Sequence, residues 1–218
     1  MVVGSYSIIY PNSKIGCNTF IGTNCIIGHP SKKELTGVDH SYKDPKLKDF
    51  IIVNPITCIG EESIIRSGTV IYAHTRIGAG LSTGHNVVIR EHTTIGDHCL
   101  IGTHSILNGY SSIRERTRIN TMCALPQSMR IGKGVFIAPL VSFSDNEKAI
   151  LGEGNEGAIV DDYVRIGIGA KILSKIRIGT GAFIGAGAVV VRDVPEKAVM
   201  IGIPAKIYRY LSDEEFQR

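Results

Sequence analysis

One position in six is aliphatic over most of this chain, and that period decides what it can fold into. Stepping by six from Ile59 to Phe143 gives 15 positions, of which 13 are Ile or Leu; Thr83 and Phe143 are the others. A helix needs a repeat of 3.6 and a plain strand a repeat of two, so a repeat of six fits neither. A second frame lies four residues after the first. It holds Ser63, Thr69, Thr75, Val87, Thr93, Cys99, Ser105, Ser111, Thr117, Cys123, Val135 and Val141, with Leu81 and Met129 as its larger members. The small residue and the next aliphatic are two apart, so they point to one face of a strand. The three residues between are polar or Gly and form a corner. Each hexad therefore reads as one short strand plus one turn. Three hexads close a triangular coil, and stacked coils bury a continuous aliphatic column.

The period also runs through Ile9, Ile15, Ile21 and Ile27, resumes at Val53, and returns at Val160, Ile166, Ile172, Ile178, Ile184 and Val190. The charged stretches 29–52 and 145–158 interrupt it and read as external loops. After Pro195 the pattern ends, and 204–218 reads as a short helix capping the open end, a need of repeat folds. The whole chain, 1–218, is then one all-β domain. Composition agrees: Ile is 33 and Gly 25 of 218 residues, aromatics are 6% and Trp is absent. No apolar run reaches the length of a membrane span, and the start lacks the marks of a signal peptide. The net charge of +4 comes from interspersed signs, so neither nucleic acid nor membrane is an expected partner. Five cysteines without a CxxC pair suggest a reduced, cytoplasmic protein. Cys25, Cys99 and Cys123 fall at the inward small position and are expected to be inert core residues.

The aliphatic-Gly-x-x-small-x hexads resemble the hexapeptide-repeat transferases. That resemblance implies a left-handed parallel β-helix of about eight to nine coils. Ile184-Gly185-Ala186-Gly187-Ala188-Val189-Val190, Asp193-Val194-Pro195 and Ile201-Gly202-Ile203-Pro204-Ala205-Lys206 resemble the C-terminal signature of the acetyl-CoA-dependent members. Many relatives have Asn at the place of Ile203 and Pro at the place of Ser174. Thr83-Gly84-His85-Asn86-Val87-Val88-Ile89-Arg90-Glu91 is similar to the branch that N-acetylates amino sugars on nucleotide diphosphates, and Asp145-Asn146 matches it loosely. The resemblance implies acetyl-CoA as co-substrate and a homotrimer; the histidine count and spacing argue for no metal. Tyr72, Tyr110 and Leu140 are placed where they could touch neighbours.

Five histidines fall at corners: His74, His92, His98 and His104 at the third place after the lead aliphatic, His85 at the second. Corners often need φ > 0, where His and Asn are enriched, so each has a structural reading. His85 stands out beside Thr83, the one polar residue in the lead frame, because broken local rules cluster at functional sites. At 18 residues per coil, Asn86 stacks next to His104, and His74 next to His92. The catalytic candidates are His85 and Asn86. His104, Lys32 and Lys33 are candidates for substrate binding, with Lys43 in the same loop. Gly185, Ala186, Gly202 and Lys206 are candidates for the coenzyme. Lys171, Lys175, Arg177, Lys197, Lys206 and Arg209 suggest a basic cluster that would attract its phosphates. Two stacked histidines are too few for a catalytic zinc. The γ-class carbonic anhydrases, which share the β-helix, need a histidine pair five apart, and no pair here has that spacing. The expected activity is N-acetylation of an amino sugar, nucleotide-linked, in surface polysaccharide or glycan synthesis. O-acetylation of a sugar or serine, and a non-catalytic scaffold, remain alternatives.

Overall fold

The computed structural model describes residues 1–35, 57–144 and 156–216, with the side chains of Lys33 and Glu34 outside that set. It is a parallel β-helix of three faces. The first face has 11 strands, the second nine and the third eight. Most strands are two residues long: the lead aliphatic points inward and the residue before it outward. Residues 18 apart pair in register, as in Ser82 with Leu100, Leu100 with Arg118 and Arg118 with Phe136. All 15 lead positions from Ile59 to Phe143 are buried, and so are all the small positions between them. Each fully buried Ile contributes roughly 1.5–3 kcal/mol, and the column is one uninterrupted cluster.

Corners explain the rest of the hexad. The third place is left-handed at Asn86, His92, His98 and His104, with φ of 54°, 56°, 55° and 59°, as the composition predicts. Glycine follows the lead aliphatic because the next coil's corner lies against it. A Cβ on Gly84 would overlap the Thr103 backbone, and one on Gly102 would overlap Thr121. Successive coils are joined there by a backbone bond, such as Gly78 N–H to the Ile95 carbonyl at 2.8 Å and Gly84 N–H to the Ile101 carbonyl at 2.7 Å.

Thr83 breaks this ladder. The Arg66 N–H donates to Thr83 Oγ1 at 2.8 Å rather than to the Thr83 carbonyl, which is taken by the Arg66 guanidinium. The polar misfit in the aliphatic frame thus has a structural partner, and its side chain is fully buried.

The chain ends differ from the sequence reading. The parallel stack continues past Pro195, since Ala198–Ile201 pairs with Phe183–Ile184. Residues Lys206–Tyr210, expected as helix, form an antiparallel strand on Ala198–Ile201. Ile207, Tyr208 and Tyr210 favour strand, and the strand covers an otherwise open sheet edge. Helix follows only at Asp213–Phe216, closed by a reciprocal cap between Ser212 and Glu215. The strand Ile26–His29 runs to the start of the first interruption, and Lys32–Leu35 within it is one helical turn. Lys43, Val53 and Asp145-Asn146 lie outside the described residues.

Candidate functional site

Three corner columns run along the prism. The first, between the first and second faces, carries Gly68, Asn86, His104, Met122, Leu140, Gly169 and Gly187 at its left-handed positions. It therefore collects His85, Asn86 and His104 on one edge, as the 18-residue arithmetic predicts. All three are exposed, and the His104 N–H donates to the His85 carbonyl at 2.9 Å. The His85 N–H donates to Thr103 Oγ1 at 3.2 Å. The Asn86 carboxamide lies over Gly68, away from His104. Among the described residues no carboxylate orients the His85 ring.

Beyond His104 this edge becomes apolar and then bare. Met122, Leu140 and Ile168 are 55%, 51% and 50% exposed. Leucine and methionine with φ of 62° and 58° are uncommon, and such backbone clusters at functional sites. Nothing lies within 4 Å of a Cβ added to Gly169 or Gly187. Among the described residues the exposed Ala186 N–H has no hydrogen-bond partner. Gly185 differs from the expectation of an open glycine: it is buried, with Ile201 packed over it. Gly202 meets the same rung, its carbonyl accepting from the Val189 N–H at 3.1 Å, and Lys206 follows, exposed.

The expected basic cluster does not form, because one coil distributes its residues over three sides. Lys171 is on the second face, Arg177 on the third, and Lys175 and Lys197 occupy different corners. Arg177 is paired to Asp161 at 2.8 Å, Lys197 to Asp213, and Arg209 to Glu215 at 2.8 Å. Lys171 and Lys206 have no ionic partner among the described residues, and neither has Arg165, which flanks the first corner opposite Lys171. Sequence reading missed Arg165, since the 145–158 interruption displaces it from the 18-residue register of Arg118 and Phe136. Lys32 leaves the coil after the second face, at the second corner rather than beside His85.

The second corner holds an aromatic stack. The His74 and His92 rings are 4.8 Å apart and 2° from parallel, and Tyr110 stacks on His92 at 4.7 Å. Beside them Glu91, 6% exposed, accepts two bonds from Arg90 at 2.9 and 3.0 Å, and Arg90 lies over the Tyr72 ring at 5.3 Å. Such a two-bond pair is geometrically rigid. Among the described residues no group of three metal-ligating side chains converges, and no helix is long and apolar enough to cross a membrane. Burial pushes the Cys99 thiol up to about 11, and lifts Cys25 and Cys123 as well.

Comparison with known proteins supports the fold. Residues 74–109 match the family described as bacterial transferase hexapeptide (six repeats). A serine acetyltransferase of Buchnera aphidicola is 39% identical over 91 residues, covering 39% of this chain and 33% of that protein. The bifunctional protein GlmU of Thermodesulfovibrio yellowstonii is 29% identical over 207 residues, 92% of this chain and 38% of that protein. The chain thus spans well under half the length of these relatives. Among solved structures, the UDP-N-acetylglucosamine acyltransferase of Francisella novicida superposes with a TM-score of 0.68 at 18% identity, covering 92% of this chain and 66% of that one. At that identity the likeness is one of fold.

Proposed function

We propose that this chain, a member of the hexapeptide-repeat transferase family by its repeats, is an acetyl-CoA-dependent N-acetyltransferase of an amino sugar carried on a nucleotide. One observation carries the reading: the His85–Asn86–His104 cluster and the bare Ala186–Gly187 rung share a single edge. From Asn86 through His104, Met122, Leu140 and Gly169 to Gly187 is five rungs, or roughly 24 Å at strand spacing. An extended phosphopantetheine arm has a comparable length. It would run along the exposed Met122, Leu140 and Ile168, with an amide carbonyl of the arm accepting from the Ala186 N–H. Lys171 and Lys206 stand free for phosphate at the C-terminal end.

The chemistry follows from that placement. An ammonium group cannot attack a thioester, so the sugar amine must lose a proton. Histidine is the side chain suited to taking it near neutral pH. His85 fills that role, with Asn86 and His104 holding the sugar. A corner N–H stabilises the tetrahedral oxyanion. Lys32 and Lys33 remain candidates for the nucleotide phosphates, and with Lys32 at the second corner they would serve the first corner of a neighbouring subunit. A cytoplasmic homotrimer completes the proposal. In support, the outward row of the second face is apolar over six successive rungs: Ile8, Ile26, Val70, Val88, Ile106 and Ala124. Tyr110 and Leu140 are exposed on the two corners flanking that face.

A second reading puts the base at His92, favoured by its stacking between His74 and Tyr110 beside the buried Glu91 and its partner Arg90. The serine acetyltransferase relative favours a hydroxyl acceptor as the alternative to an amine. Turnover of acetyl-CoA with amino-sugar nucleotides and with serine tests both points. His85→Ala should lose about two orders of magnitude in rate, the usual worth of a general base, while His92→Ala stays close to wild type. The reverse pattern transfers the role to the second corner.

A further inference from the structure

The third corner, across the first face from the His85 edge, carries a concavity under the C-terminal helix. It is a cleft of about 340 Å³, within the range of small-molecule sites. Two of its walls are aromatic. The Tyr163 and Phe216 rings are 6.1 Å apart and 78° from parallel. A flat ring entering that right angle stacks on one and meets the other edge-on, the two arrangements aromatic rings prefer. The glycines at its base make room for the walls: Tyr163 lies on Gly134 and Phe216 on Gly181, where any Cβ would displace the ring.

The charge in the cleft is placed for an anion. Arg165 lines it, is exposed, and has no hydrogen-bond or ionic partner among the described residues. Its planar fork matches phosphate. The acid in the wall, Glu215, is neutralised by two bonds from Arg209 at 2.8 Å each. An adjoining groove of about 390 Å³ shares Tyr163 and adds Arg116 and Lys133, together with Asp97 and Glu115. Lys133 sits over the Tyr163 ring at 5.5 Å. Asp97 is already engaged by the Ala79 N–H at 2.8 Å, and Glu115 by Arg114 at 3.7 Å.

We infer that this cleft is a nucleotide subsite, with the base held in the Tyr163–Phe216 angle and the diphosphate on Arg165. The inference does not depend on which residue is the general base, because the third corner shares no side chain with the His85 or His92 columns. Two ligands carry this chemistry: the adenosine end of coenzyme A and the nucleoside diphosphate of an activated sugar.

The test is calorimetric titration of the full chain with 3′,5′-ADP, UDP and GDP, with pantetheine as the nucleotide-free comparison. At least one nucleotide should bind, and Arg165→Gln should weaken it about tenfold, the loss of one charge-assisted contact. Pantetheine binding should be unchanged in that variant. Arg165 is exposed and unpartnered, so the substitution leaves the fold intact, which a thermal melt verifies. Phe216→Leu, which keeps the apolar contact on Gly181 and removes the ring, should also weaken the nucleotide. Preference for 3′,5′-ADP identifies the coenzyme as the source; preference for UDP or GDP identifies the sugar. Failure of all three nucleotides to bind, or equal affinity in Arg165→Gln, overturns the inference. Acetyl transfer is measured separately, so its loss or survival bears on the first corner alone.

Discussion

Thr83 offers a test of how the ladder is held. Its hydroxyl accepts the Arg66 N–H at 2.8 Å and lies 3.4 Å from Thr69 Oγ1, inside the core. Thr83→Val keeps the shape and removes the acceptor. The Arg66 N–H then has no partner unless the Arg66 guanidinium releases the Thr83 carbonyl. A fully buried donor left unmet costs about 1–3 kcal/mol, an upper bound for this part-buried one. The added methyl in an apolar column offsets part of that. The expected net loss is about 1–2 kcal/mol, which lowers the melting temperature by roughly 2–8 °C for a chain of this size. Adding Arg66→Ala frees the Thr83 carbonyl, so the Arg66 position can form the bond that Gly78 and Gly84 form on their rungs. The double variant should therefore lose less than the sum of the two single losses, by at least about 0.5 kcal/mol. Urea denaturation of the four proteins measures the cycle. A Thr83→Val protein as stable as wild type, with additive effects, would refute the ladder account and leave the polar misfit without a structural reason.

Other expectations follow from the same contacts. Gly84→Ala drives a methyl into the Thr103 backbone and should cost at least about 3 kcal/mol. Gly187→Ala meets open space and pays only for its φ of 67°, about 1–2 kcal/mol, yet should weaken acetyl-CoA about tenfold; equal losses of stability in the two variants would contradict this. Iodoacetamide at pH 8 should label Cys17 and Cys58 in the native protein, and Cys25, Cys99 and Cys123 only after unfolding, as read by peptide mass spectrometry. Cys17 should react slowly despite its exposure, because the Glu61 carboxylate accepts its S–H and raises it. The C-terminal helix should loosen in acid. Arg209 and the Ser212 N–H hold Glu215 down to about 2, and Lys197 lowers Asp213. Depressed acids stabilise the docked form above their ordinary values, and that contribution is lost as pH falls through the folded value. The protection factors of the Glu215 and Phe216 amides, taken against the intrinsic exchange rate at each pH, should therefore fall between about pH 4.5 and 2, while the coils stay protected; no change there would remove the ion pairs from the account.

The prism was legible because a six-residue period admits few solutions, and every lead residue from Ile59 to Phe143 is in the core. The corner columns were legible for the same reason: His74 and His92 stack, and Asn86 lies on the same edge as His104. What the sequence hid was the third dimension of one coil. Lys171, Lys175 and Arg177 are neighbours in the chain but point from a face, a corner and a second face. The strand at Lys206–Tyr210 was hidden because it pairs antiparallel and carries no hexad period. Arg165, Tyr163 and Phe216 come together only once the excursion before 156 is excised and the tail folds back. Thr83 broke the pattern as a functional residue would, yet its hydroxyl replaces a ladder carbonyl, which only the bond geometry reveals.

Hydrogen–deuterium exchange with and without acetyl-CoA tests the central claim, that the coenzyme lies along the first corner. The account predicts slower exchange at Thr103, Thr121, Ile168 and Ala186, whose N–H groups have no partner among the described residues, and at 202–206. The second corner, from His74 to Tyr110, should be unchanged. Protection at the second corner instead, or no protection anywhere at saturating acetyl-CoA, would contradict it.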